Sequence, residues 1–362
     1  MILGKLLRIT PNQYIFEHGS FRYLSRSSEE MDIAHARIAL QESIDAHLMR
    51  FGPGDIRLPP IQPDIFEDYE RTLVEKLEKV WNEKVNEGLK SFVILMDSMD
   101  EEVSEEMITQ LIIPHLDDNL GEPFYTSTRI RKAMKKNIER TWKTGKKYSA
   151  QKVGRLAPEA RLIDTKAQEY LQKDSRFWLR HRWDSHIRVK IAETARRVGI
   201  EEGLGRREVG RAMARAFRGV CSENPYYWEV VGSAATIRSR TWSHYTTLDQ
   251  LEIEESVWMT VGDERVCSVC RPLDGVSFSV KKGISNMEAC MEAEDPFEAR
   301  NISPWIAYDR KKEKFYTNTH DKDGNILRRN YFPREKIKDG AYLQKKGFNG
   351  PQAHGGCRCD MT

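Results

Sequence analysis

Cys267-Ser268-Val269-Cys270, and far downstream His354-Gly355-Gly356-Cys357-Arg358-Cys359, are the stretches that decide how this chain folds. Two thiols two residues apart, joined by a remote His/Cys cluster, can supply soft ligands to one tetrahedral ion. The candidates are Cys267, Cys270, His354, Cys357 and Cys359, five groups for four positions. The expected set is the first pair with His354 and either Cys357 or Cys359, the fifth group lying nearby. An open catalytic site would need a vacant position and a general base, so so many soft donors favour a closed, structural Zn²⁺. The competing reading is a set of reduced, unliganded thiols in a surface turn. Asp263 precedes the first thiol, with Arg265 between them. Asp263 either bonds backbone N–H groups around the turn and orients a ligating imidazole, or is an ordinary turn aspartate.

Working outward, the period around the thiols is two. Ser256-Val257-Trp258-Met259-Thr260-Val261 reads as a strand. Leu273-Asp274-Gly275 is a tight turn into a second short strand over 276–280. Residues 314–319 and 326–332 flank Asp321-Lys322-Asp323-Gly324-Asn325, a hairpin signal. Asp321 and Asp323 also suggest a calcium loop, but the downstream acidic spacing is missing, so turn chemistry is expected.

Before position 250 the period is helical. Helices are expected over 28–51, stopped by Gly52-Pro53-Gly54, and over 61–99, with an apolar stripe of Phe66, Tyr69, Leu73, Leu77, Val80, Trp81 and Val85. Others follow over 104–116 and 125–148, then, past a joint at 154–158, near 158–171, 177–198, 207–217 and from Asn224-Pro225 to about Tyr245. The expected fold class is therefore α+β and mainly helical, with a helical N-terminal two-thirds followed by a small zinc-stapled, β-rich C-terminal module. The expected organisation is a helical docking region over 1–155, followed by one further domain with a helical part, 156–250, and a zinc-knuckle, β-rich part, 251–362.

Lys and Arg number 58 against 55 Asp and Glu, so net charge excludes little. Its distribution is uneven. Acidic residues dominate 64–118 and basic ones 129–155. Arg131, Lys132, Lys135, Lys136, Arg140 and Lys143 are candidate contacts for nucleic acid or an acidic partner. The plainer alternative is a solvated helix face. No apolar run is long enough to span a membrane, and the first eight residues make a poor secretory signal. Six cysteines, four of them in two tight clusters, suit a reducing setting with metal-bound thiolates better than a disulfide framework. Neither a nucleophile–base set nor a Gly-rich phosphate loop is evident in the N-terminal half, so no enzyme is expected there.

The combination of Trp258 to Cys270, Leu273-Asp274-Gly275 and Pro351-Gln352-Ala353-His354-Gly355-Gly356-Cys357-Arg358-Cys359 resembles the Mu-F-like minor head proteins of tailed bacteriophages. The likeness extends from about Arg176, through Trp228 and Ala235-Thr236-Ile237-Arg238-Ser239-Arg240, to the C-terminal end. It departs at Pro351-Gln352-Ala353 and Gly355, where the family usually has further prolines, and in the long insertion over 281–347. The resemblance implies a non-enzymatic minor capsid protein that binds the phage portal protein and assists head morphogenesis, DNA packaging or delivery. It implies further contacts with a major capsid or scaffold protein and with packaged DNA, no membrane, and residence in the virion head near the portal vertex after assembly in the host cytoplasm. The chain ends three residues after Cys359, so no fused downstream enzyme is expected.

A metal-dependent nuclease or DNA-binding zinc module is the alternative. Such a site needs further His or Asn residues on a helix after the knuckle, and His320, the other C-terminal histidine, falls at a hairpin.

Overall fold

The computed structural model describes the strands at 5–10, 13–18 and 21–25, and residues 65–99, 102–202, 206–222, 225–260, 266–350, 353–354, 357 and 359–361. The helix expected over 28–51, its stop at 52–54, and Asp263 and Arg265 lie outside the described residues. Contacts divide the chain into two compact units. One comprises Met1–Pro59 with Gly262–Ser268, the other Pro60–Val261 with Val269–Thr362. The second includes positions 155–156 and 250–251.

The first unit corrects the all-helical expectation for the N-terminal region. Its strands β1 (Lys5–Thr10), β2 (Gln13–His18) and β3 (Phe21–Ser25) form an antiparallel meander, with Leu7 opposite Ile15 and Phe16 opposite Tyr23. Tyr14-Ile15-Phe16 and Phe21-Arg22-Tyr23 are rich in the aromatic and β-branched types that suit a pleated surface.

The second unit is mainly helical. Helix α1 (Ile65–Asp97) carries the expected stripe and extends it through Leu89, Phe92 and Met96, all buried. Glu67 and Asp68 in its first turn complement the positive end of the helix dipole. Helical turns then run over 105–125 (α2), longer than expected because two π turns absorb two prolines. Ile113 donates to Ile108 O just before Pro114, and Glu122 donates to Asp117 O just before Pro123. Widening the turn to i→i+5 accommodates residues that lack an N–H and crowd the preceding turn.

Helix α3 (Thr128–Lys152) is followed by a left-handed Gly154 at φ 66°, and then by one helical run over 162–201 (α4). Two helices were expected here. The polar interval between them stays helical because its side chains are occupied: Ser175 Oγ donates to Leu171 O at 2.8 Å, and Asp174 accepts from Trp178 Nε1 at 3.2 Å. Helices α5 (Arg206–Ser222) and α6 (Pro225–Gln250) complete the bundle.

α6 is its axis, buried on nearly every side from Val231 to Leu248. Small hydroxyl residues make that possible, because each can satisfy itself on its own helix. Ser239 donates to Ala235 O at 2.6 Å and Thr247 to Ser243 O at 2.7 Å. α3 comes so close that a Cβ at Gly145 would lie 2.1 Å from Ser243 Oγ.

After α6 the period changes as expected. β4 (Glu255–Met259) is flanked by β5 (Ser277–Ser279) and, on its other edge, by β9 (Asp360–Met361), both antiparallel. β6 (Ile306–Asp309), β7 (Lys314–His320) and β8 (Ile326–Phe332) make a second antiparallel sheet. Its hairpin closes on Asp321, whose Oδ1 accepts from the amides of Asp323 and Asn325, while Gly324 takes φ 86°.

The C-terminal part is less purely β than expected. Between the sheets lie α7 (Val280–Glu292), α8 (Pro296–Ile302) and α9 (Gly340–Lys345). Val280, Gly283, Met287 and Cys290 carry a three-four spacing on α7 that places it on Trp142, Leu171 and Trp242 of the bundle. The whole is a mainly helical α+β fold, as the sequence indicated.

Candidate metal centre

Each half of the centre is held by backbone geometry. Cys270 precedes a 3₁₀ turn, Arg271–Leu273, and its carbonyl accepts from Leu273 N at 3.0 Å. This turn hangs between β4 and β5, anchored by the fully buried Trp258, Leu273 and Phe278. The remote half is drawn in by β6 and β9. Ile306 N donates to Ala353 O at 2.8 Å, just before His354, and β9 pairs with β4 immediately after Cys359. Cys357 N reaches back to His354 O at 3.3 Å, closing the loop between the ligands.

These elements bring the predicted thiols together. The ligand atoms of Cys270, Cys357 and Cys359 all lie within 4.8 Å of one another, and all three residues are buried. Cys267, partly buried, precedes Cys270 by three residues and falls in the first unit, whereas His354, also partly buried, belongs with Cys270 to the second. Cys270 Sγ stands 3.7 Å from Cys357 Sγ and 3.1 Å from His354 Nε2. A tetrahedron with Zn–S bonds of about 2.3 Å has S···S edges of about 3.8 Å, so the thiol pair already has the spacing such an ion requires. Both Cys357 and Cys359 reach Cys270, where one of them was expected to suffice. These residues can hold a metal ion.

The electrostatics separate this cluster from the other cysteines. Sulfur hydrogen bonds from Cys270 and Cys359, against burial and aided by His354, hold the Cys357 thiol well below its ordinary range. The isolated thiols go the other way: burial pushes Cys221 up to about 12 and Cys290 up to about 11. A thiolate is the ligand form, so the cluster is poised for a cation and the isolated cysteines are inert packing groups. His320 does not belong to the cluster; its amide donates to Asn301 Oδ1 at 2.8 Å at the end of β7.

The centre is tied to the bundle by a network that no sequence motif announced. Asp360, next to Cys359, accepts from Lys152 at 2.5 Å and from Arg240 at 2.6 Å. Beside it, His244 lies buried between Ser149 Oγ at 2.8 Å and Ser256 Oγ at 2.7 Å. Lone polar residues on a helix carry no spacing signal, and only the packing of α3, α6 and β9 assembles them.

The basic residues predicted as a contact surface, Arg131, Lys132, Lys135, Lys136, Arg140 and Lys143, are all exposed on one side of α3. Three already have neighbours: Arg131 donates to Thr128 Oγ1 at 3.3 Å, Lys135 pairs with Glu139 at 3.7 Å, and Arg140 lies 3.9 Å over the Tyr69 ring. Lys146, from the same basic run, is instead buried. It donates to Asp164 at 2.9 Å and to Gln250 at 2.8 Å.

No helix of the described residues is long and apolar enough to cross a membrane. Compared with known protein families, with curated proteins and with solved structures, the chain finds no match.

Proposed function

We propose that this chain is a minor head protein of a tailed phage whose C-terminal module is stapled by one structural Zn²⁺. The observation that carries this reading is the convergence of two remote segments, Cys270 and His354 to Cys359, on one largely buried soft-donor set. Thiolate-rich, tetrahedrally spaced donors select zinc among the common divalent ions. Cys270, Cys357 and Cys359 hold the ion, with His354 in the fourth position. Four protein donors leave no position for a substrate, so the zinc would serve to close the fold. When bound, it would neutralise thiolate charge and fix the last segment of chain against β4.

In this reading the rest of the second unit is a rigid helical body that docks on the portal protein. The exposed basic side of α3 faces an acidic protein surface or packaged DNA. The protein would then work in the virion head, near the portal vertex, without catalysis. The experiment is twofold. Elemental analysis of the purified chain should give about one zinc per chain. Co-expression with the portal protein of the same phage should give co-sedimentation at low salt. A zinc-loaded chain that never co-sediments removes the portal reading. Plasmid nicking with Mg²⁺ or Mn²⁺ that His354→Ala abolishes would replace it with a metal-dependent nuclease.

A further inference from the structure

Away from the cysteine cluster, the second unit contains a cavity of about 320 Å³ between α4, α6, α7, α8 and the segments at Trp305 and Asn349. Its walls are partly apolar, with Val230, Val231 and Ala234, and partly charged. Three guanidiniums line it, Arg182, Arg238 and Arg300, against one carboxylate, Asp174; Arg182 lies 4.9 Å from the centre of the Tyr227 ring. That carboxylate is already occupied: Oδ2 binds Arg238 Nη1 at 2.6 Å and Oδ1 accepts from Trp178 Nε1 at 3.2 Å.

Arg300 is left without an acid. Among the described residues no carboxylate lies within 4.0 Å of it, and no protein hydrogen bond uses its N–H groups. What holds it is aromatic: its Cζ sits 3.6 Å over the Trp305 ring and 4.9 Å from the centre of the Trp178 ring. Stacking engages the faces of a guanidinium and leaves its edge, the side that forms paired hydrogen bonds to an oxyanion. Burial, reinforced by Arg238, pushes Arg300 down to about 10, the mark of a cation short of a counter-charge.

We propose that this cavity binds a small organic anion, its carboxylate or phosphate group gripped by the edge of Arg300 and its apolar body resting on Val230, Val231 and Ala234. The volume supports an organic body, since it reaches the lower end of the range for small-molecule pockets and exceeds what a bare oxyanion fills. Discrimination against neutral compounds follows from the unpaired charge: a neutral isostere would bury the guanidinium without neutralising it. This assignment is independent of the metal centre and of the portal reading.

The test is calorimetric titration of the full chain with benzoate, phenyl phosphate and the neutral benzamide. Saturable binding of benzoate or of phenyl phosphate is expected, with benzamide weaker by about tenfold or more. The better of the two anions identifies the head group. Arg300→Gln should weaken that anion by about tenfold or more, and Arg300→Lys, which keeps the charge but loses the fork, by less. Ala234→Phe, which fills the cavity and leaves the guanidiniums in place, should abolish binding; it serves if Arg300→Gln does not fold. Zinc content and melting temperature monitor integrity throughout. The proposal fails if neither anion binds, if benzamide binds as well as they do, or if well-folded Arg300→Gln or Ala234→Phe binds as the parent does.

Discussion

Cys357 and Cys290 are both fully buried cysteines, yet their surroundings give them opposite chemistry. Cys290 sits against Met287 and Ala299 with only a long contact, 3.7 Å, to the Ala299 carbonyl, and its thiol stays protonated. Cys357 has two sulfur neighbours and an imidazole. Cys357→Ser should therefore remove the zinc and destabilise the chain by more than about 4 kcal/mol, whereas Cys290→Ser should leave metal content unchanged; elemental analysis and urea titration of the two variants check this. His244 makes the second prediction at this scale. Burial pushes its imidazole from 6.5 down to about 4, with Asp360 opposing and Lys152 and Arg240 reinforcing the shift. Above about pH 6.5 the imidazole is neutral in folded and unfolded chains alike, and its full contribution is present. Between about 6.5 and 4 only the unfolded chain takes up the proton, so stability falls with acidification, by about 3 kcal/mol at the lower end. His244→Gln, which keeps polar contact with Ser149 and Ser256, should flatten that part of a melting-temperature profile. A variant profile parallel to the parent's would contradict the assignment.

Helix α3 shows how one element divides its basic residues between two tasks. Its apolar positions, Ile130, Met134, Ile138 and Trp142, face the bundle, and the same stripe continues into Lys146. There the charge is met by Asp164, itself fixed at the start of α4 by the Arg161 amide at 2.7 Å. Lys146→Ala leaves that carboxylate buried without its cation and should cost about 3–5 kcal/mol in chemical denaturation. On the opposite side, Lys135, Lys136 and Arg140 are open to solvent. If that side contacts DNA, reversing all three charges should weaken binding and reduce its salt dependence with little loss of stability. Unchanged affinity in a filter-binding series would leave them as a solvated face. The basic run by itself does not distinguish Lys146 from Lys143; the packing of α3 on Asp164 and Gln250 does.

Across the whole second unit, the segment that carries Cys357 and Cys359 is joined to the bundle through Asp360, which faces two cations from two helices, Lys152 of α3 and Arg240 of α6. Asp360→Ala strands both cations in a largely buried place and should destabilise the unit by about 3 kcal/mol, with easier extraction of zinc by chelator. A chelation rate equal to the parent's would mean that β4 pairing alone holds the segment. Much of this architecture was legible beforehand. The stripe on α1, the period change after position 250, the Asp321 hairpin and the cysteine pairs all rest on short-range patterns, and local spacing determines them. Three things were not legible. The β1–β3 meander is drawn from strands too short for a strong period. α7 sits directly after a strand, whose pattern masked its own. The partners of Asp360, His244 and Arg300 lie far away in sequence. The sequence by itself determined which residues can serve as soft donors and which segments are helical, because soft donors and apolar periods are properties of neighbouring positions. Only the tertiary structure decided which thiols meet, which cations are buried and which guanidinium is left without an acid, because those depend on distances between segments that no local pattern encodes.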